Sequence, residues 1–324
     1  MIVVTGGAGF IGSALIKELN NRGVDDIIIV DHFGKDDKWK NLNSLKYYDI
    51  FDKDDFGHMI SGDFLSQSKV DTIFHLGACS ATTEQDFKYL LINNYEYTKF
   101  LCGQAKENNI RFIYASSAAT YGLGENGYLD DEKQLEKLRP LNKYGYSKHI
   151  FDLWAYKNGY LNNAVGIKYF NVFGPNEYHK GDMRSMVSKG FDQIIENGKV
   201  KLFKSDSDSY KDGEQKRDFI YVKDAVNMTL HFWENKLYSG IYNVGTGMAN
   251  TFNSLITPIF EAMEKKVNIE YIDMPEILRS KYQDFTKADM TKLMKTGYNK
   301  PITPIEDAVK DYTANYLNTD NRYL

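Results

Sequence analysis

Cysteine is nearly absent from this chain. Of 324 residues only Cys79 and Cys102 are cysteines, and they show no metal-ligand spacing, so neither a disulfide framework nor a thiolate metal site is expected. Six scattered histidines add no zinc pattern. No stretch approaches the roughly 18 uninterrupted apolar residues that a membrane-spanning helix needs. Positive charge is not in excess either. The net charge of −4 argues against nucleic acid or an anionic membrane as the main partner, while leaving room for a local basic pocket that takes a phosphate. Residues 1–16 are apolar enough for a signal peptide, but their glycines and the missing basic n-region oppose that reading. What is present is ordinary for a soluble protein: 42% hydrophobic and 26% charged residues, at a length for one large domain or two smaller ones. The expectation is a reduced, cytoplasmic, metal-free protein.

The first half alternates two periodicities. "MIVVTG" is a short apolar run, and "IGSALIKELNNRG" then places Ile11, Leu15, Ile16 and Leu19 at helical intervals. Apolar runs at 26–31, 70–78, 111–118 and 164–172 read as buried strands, with helices over 94–107 and 144–156 between them. Strands alternating with helices predict right-handed crossovers and a parallel, doubly wound sheet. After Pro175 the rhythm breaks into a helix over 184–197, "KLF", a charged stretch, "RDFIYVKDAV" and "GIYNVG". The stretch 204–216 has many charges and few apolar residues, which predicts a mobile surface loop. Two lobes interleaved in sequence are expected: 1–171 plus about 218–247, and a smaller α/β lobe of 172–217 plus about 248–324.

"TGGAGFIG" sets Gly6, Gly9 and Gly12 between a strand and a helix. In a dinucleotide fold the first allows a tight turn, the second lets the backbone approach a pyrophosphate, and the third permits close helix–sheet packing. The pyrophosphate would sit on the helix N-terminus, where unpaired amides favour negative charge. Asp31 closes the next strand, about 20 residues on, where an acid can bind an adenosine ribose. Asp31 alone favours NAD. His32, Lys35, Lys38 and Lys53 would favour NADP if they surround a 2′-phosphate, or they form a solvated face.

Tyr144 and Lys148 stand at i and i+4 of a predicted helix and so share one face. A phenol with a pKa near ~10 is a poor base at neutral pH, and a nearby cation favours its ionised form. Ser117, at the end of the strand "RFIYASS", is placed to hold a substrate hydroxyl toward Tyr144.

These motifs, with "YASSAATYG", "YGYSK", "YFNVFGP" and "GIYNVGTG", resemble the extended short-chain dehydrogenase/reductase family over essentially the whole chain. More narrowly, "FHLGACSATTEQD", "GPNEYHKGDM" and "KYQDFTKADMTKL" resemble its ADP-heptose 6-epimerase branch. The resemblance implies NADP contacts, with NAD as the alternative, at Phe10, Ile11, Asp31, His32, Lys38, Lys53, Leu76, Gly77, Ala78, Cys79, Ser80, Asn93, Lys148 and Val172. It implies a substrate pocket lined by Asn171, Lys180, Asp182, Lys189, Phe203, Lys204, Ser205, Asp206, Arg217 and Tyr282. Arg217 is a fork for a diphosphate, while Asp182 and Lys189 read equally as surface charges. A homo-oligomer with an ADP-heptose substrate is expected on the same ground.

Such an enzyme would oxidise a secondary alcohol, rotate the ketone and reduce it on its other face. Rotation carries the oxygen away from Tyr144, so a second proton donor is needed. Lys180 holds the matching motif position; otherwise it neutralises a substrate phosphate. A UDP-hexose 4-epimerase and a silent dinucleotide-sensing protein are the rival readings. A dehydratase is disfavoured, because Ala118 and Ala119 follow Ser117 where that activity needs an acid pair.

Overall fold

The computed structural model describes residues 1–279 and 282–324. Seven strands form one sheet: β1 (Ile2–Thr5), β2 (Ile27–Asp31), β3 (Asp49–Asp52), β4 (Thr72–His75), β5 (Arg111–Ser117), β6 (Ala164–Tyr169) and, later in the chain, Gly240–Val244. The last strand lies beside β6, and the order from there runs β6-β5-β4-β1-β2-β3. Every pair is parallel. Strands β1, β2 and β4 are buried along their whole length, as a parallel sheet covered by helices on both faces requires. The order reverses between β1 and β4. Ligands of such sheets bind in the crevice opened there, beyond the strands' carboxyl ends. The fold is a Rossmann-type, doubly wound α/β sheet.

Local departures from the sequence reading have identifiable causes. β3, which the sequence reading did not include, is a short edge strand whose side chains are mostly half-buried, so it lacks an apolar run. The strand expected over 164–172 breaks at Phe170, whose N–H turns to Val244 O at 3.0 Å. The next residues form β7 (Asn171–Phe173). "RDFIYVKDAV" likewise changes conformation along its length. It divides into β9 (Lys216–Arg217), β10 (Phe219–Tyr221) and a helix, Val222–Glu234. Val222, Ala225, Val226 and Thr229 are buried on that helix, an i, i+3, i+4, i+7 stripe.

The remaining pairs, β7 with β10, β8 (Val200–Phe203) with Ile269–Ile272, and β9 with Asn250–Thr251, form two-stranded ribbons outside the main sheet. The charged stretch 204–216 is irregular but tied at its ends. Ser205 N–H donates to Asp212 Oδ1 at 2.9 Å, Gln215 Nε2 donates to Lys204 O at 3.2 Å, and Gln215 is buried. Among the described residues, no helix is long and apolar enough to cross a membrane.

Candidate active site

A cavity of about 660 Å³ opens at the β1/β4 reversal. Gly6, at φ +69°, turns the chain out of β1. It lies back to back with Gly77, the second residue past β4: a Cβ on Gly6 would meet Gly77 N at 2.5 Å. On Gly12 a Cβ would lie 2.1 Å from Gly6 O, so the Phe10–Asn21 helix docks on the turn only without a side chain there. The first-turn amides of that helix have no partner within the helix, and a pyrophosphate is the ligand such a helix N-terminus suits.

At the end of β2, Asp31 is 8% exposed and takes three donors of its own chain. Ala8 N–H gives 3.0 Å, His32 N–H gives 2.8 Å and Lys38 Nζ gives 2.9 Å. Lys38 also donates to His32 O at 2.7 Å. The acid and the lysine that the sequence set against each other are therefore one ion pair.

Tyr144 and Lys148 lie on the Lys143–Lys157 helix, capped by Asn142, whose side chain accepts from Gly145 N–H at 2.7 Å. Lys148 is 4% exposed and donates to Ala115 O at 2.9 Å. Burial pulls its pKa down to about 8, with the Asp152 carboxylate opposing. Burial pushes the Tyr144 phenol up, and hydrogen bonding to Ser117 works the other way. The depression expected from Lys148 is not what the chain by itself produces. Its ammonium is held by a β5 carbonyl, so lowering of the phenol falls to Ser117 and to bound positive charge.

Lys180 reaches the cavity from the opposite side, on the turn Tyr178–Met183, which Gly181 bends at φ +52°. Its ammonium lies 5.3 Å from the Phe10 ring centroid. Burial lowers its pKa while Glu177 raises it. Arg217 is 7% exposed, stacked between Tyr282 at 5.0 Å and Phe252 at 5.8 Å. Its one hydrogen bond among the described residues goes to Lys216 O at 3.0 Å. Burial lowers its pKa too.

Residues 2–245 match the NAD dependent epimerase/dehydratase family. A relative from Nitratidesulfovibrio vulgaris called ADP-L-glycero-D-manno-heptose-6-epimerase is 49% identical, with all of both chains covered. One of the same name from Fusobacterium nucleatum is also 49% identical over the full length of both. The chain belongs to the NAD dependent epimerase/dehydratase family. Among solved structures, the ADP-L-glycero-D-manno-heptose-6-epimerase of Helicobacter pylori is 27% identical, with a TM-score of 0.78 over 96% of this chain and 94% of that one. A UDP-N-acetylglucosamine 4-epimerase from Methanobrevibacter ruminantium is 26% identical, with a TM-score of 0.80 over 96% of both.

For an epimerase/dehydratase, a nicotinamide dinucleotide is the cofactor, and the glycine cradle fits one. Gly6, Gly9, Phe10, Ile11, Gly12, Asp31, Lys38, Leu76, Gly77, Ala78, Cys79, Ser80, Ser117, Tyr144, Lys148, Asn171, Val172, Lys180 and Arg217 all line the one cavity. His32, Lys53 and Asn93 do not. His32 faces Asp52 at 3.6 Å, and Lys53 donates to Asn93 Oδ1 at 2.9 Å. Asp182, Lys189, Phe203, Lys204, Ser205, Asp206 and Tyr282 are also outside its lining. Lys189 Nζ holds Asp182 O at 3.2 Å, Lys204 pairs with Asp273 at 2.9 Å, and Asp206 pairs with Arg279 at 3.1 Å. Tyr282, packed edge-on against Phe203 at 6.5 Å, joins both residues to the Arg217 end. The sequence reading missed His179, Thr82 and Arg184, which line the cavity. His179 adjoins Lys180 in a motif already singled out, so its place was the available signal.

Proposed function

We propose that this chain is an ADP-L-glycero-D-manno-heptose 6-epimerase, working with NADP by two proton-handling groups through a transient 6-keto sugar. The observation that carries the reading is full-length identity of 49% to relatives bearing that name. The site is in keeping with it, since Tyr144 and Lys180 come to one cavity from different elements. Gly6, Gly9 and Gly12 would hold the pyrophosphate, with Asp31 and Lys38 at the adenosine ribose. When bound, the nicotinamide accepts a hydride from the substrate carbon and returns it.

Ser117 orients the substrate hydroxyl, and Tyr144 takes its proton. Lys148 anchors the site from behind through Ala115 O. After the ketone turns, Lys180 gives a proton to the oxygen in its new position and takes one in the reverse direction. Its lowered pKa suits a group that must pass between ammonium and amine. Arg217, buried with no carboxylate paired to it among the described residues, is set for the diphosphate. NADP over NAD rests on Lys38, which sits on Asp31 and offsets the carboxylate's repulsion of a 2′-phosphate.

The same reading divides the chain into a cofactor lobe of 1–171 plus 218–247 and a substrate lobe of 172–217 plus 248–324. The seven-stranded sheet lies in the first and most ribbon strands lie in the second. It also makes the protein a cytoplasmic homo-oligomer that supplies precursor for the lipopolysaccharide inner core, in keeping with its two free cysteines. The test is to incubate purified protein with each ADP-heptose epimer and with UDP-hexoses, following interconversion by NMR. Exchange at C6 of the heptose supports the proposal; exchange confined to C4 of UDP-hexoses overturns it.

A further inference from the structure

Asn41 and Asn176 are 2% and 0% exposed, and the reaction scheme uses neither. Asn41 stands on the short helical turn Asp37–Leu42, three residues past Lys38. Its Nδ2 donates to Ala8 O in the glycine loop at 2.8 Å and to Asn176 O at 3.2 Å, and lies 3.4 Å from His179 Nδ1. Asn176 answers from the other strap. Its Nδ2 donates to Ser13 Oγ at 2.9 Å, and that hydroxyl donates to Gly9 O at 2.6 Å. Its Oδ1 accepts from Leu324 N–H at 3.0 Å. The Asn176 backbone is left-handed at φ +76°. Glycine would meet that backbone demand with less strain, so what the asparagine adds is its amide.

Burying two amides costs desolvation, which their hydrogen bonds offset only when the geometry holds. What these bonds hold is a distance. They tie the glycine loop and the Phe10–Asn21 helix to the root of the segment that carries Lys180, four residues beyond Asn176. Phe10, first residue of that helix, is also the ring Lys180 faces.

We infer that Asn41 and Asn176 are positioning residues, a clasp that aims Lys180 from the same loop that cradles the dinucleotide. The inference rests on the reading of Lys180 as the second proton-handling group. Lys180 is therefore read directly, by its rate of labelling with an amine-reactive reagent and peptide mass spectrometry, with no turnover involved. Asn41→Asp keeps the shape but turns a carboxylate toward Ala8 O and Asn176 O. Asn176→Gly keeps the left-handed backbone and removes the amide, so it decides the matter if Asn41→Asp fails to fold.

The expected result is several-fold faster labelling of Lys180 with cofactor still bound one to one. Single-turnover reduction of the nicotinamide by each epimer should then fall unequally, by up to ~10²-fold in the half-reaction that needs Lys180. Unchanged labelling in the folded variants overturns the inference whatever turnover does. Lys180→Met is run in parallel. If it loses one half-reaction selectively, equal loss of both in the clasp variants also overturns the inference. If it does not, the two-base reading fails, and labelling alone decides the clasp.

Discussion

The sheet side of the cavity and the side facing it treat buried charge differently. Along the sheet, the buried acids are answered within the chain. Asp31 takes three donors, and Asp152, 0% exposed, takes Tyr114 OH at 2.9 Å, Ser116 Oγ at 2.7 Å and Lys168 Nζ at 2.7 Å. Across the cavity, Lys180 and Arg217 are lowered in pKa by burial and have no ion-pair partner among the described residues. A buried cation without an acid costs stability. On the function proposed above, an anion that arrives with the substrate offsets that cost. The first side is thus a finished scaffold, and on the function proposed above the second is completed by substrate.

The sharpest way to break that comparison is at the reacting groups. Tyr144→Phe keeps the ring and removes the proton, so turnover should fall by ~10²–10⁴-fold with cofactor retained. Activity within a few-fold of the parent would remove Tyr144 as the principal base. Lys180→Met should leave nucleotide-sugar affinity near the parent's while inversion at saturation collapses. A steep loss of affinity with near-parent saturated rate would instead make Lys180 an anchor.

The finished side should show itself in acid. His75 is fully buried between Thr5 Oγ1 at 2.6 Å and Thr98 Oγ1 at 2.8 Å. Thr98 spends its own proton on Asn94 O, so it accepts from His75 Nε2–H and leaves Nδ1 to accept from Thr5. That neutral tautomer is what burial enforces, holding the pKa at about 3; His149 is held at about 4. Below the ordinary value near 6.5 the unfolded chain binds more protons than the folded one. Stability is therefore full above that pH and lost as pH falls toward 3–4, by about 1.4 kcal/mol per unit for each histidine. Urea midpoints at pH 7 and pH 5 measure this, and His75→Gln should flatten the slope. A midpoint that rises on acidification would contradict it.

Smaller effects belong to the waiting cations. Arg217→Met should weaken nucleotide-sugar binding by about 1.5–3 kcal/mol. The same change should raise fold stability by on the order of 1 kcal/mol, because an unpaired buried charge is replaced by a hydrophobe. Calorimetry and thermal unfolding read the two signs; a loss of both would place Arg217 with the scaffold. Least in size, Lys38→Ala should weaken NADP more than NAD by about 1–3 kcal/mol, since Asp31 then faces a 2′-phosphate uncompensated. Equal weakening would show that the pair does not set the preference.

The sequence by itself determined whatever depends on neighbours along the chain. "TGGAGFIG" needs only a strand, a turn and a helix start, and Tyr144 with Lys148 needs only the 3.6-residue period. Alternating apolar runs were enough for the parallel sheet, though not for β3, whose mostly half-buried strand carries no such run. Tertiary structure decided the rest. The break at Phe170 follows from a hydrogen bond to Val244, 74 residues away. The Asp31–Lys38 pair turns two competing signals into one neutral unit. Asn41 meets Asn176 across 135 positions, and no local period records that. Whether Lys180 and Arg217 are solvated charges or cations drawn out of water, part-buried at Lys180 and buried at Arg217, is likewise invisible in sequence, because burial belongs to the packed chain and not to the residue.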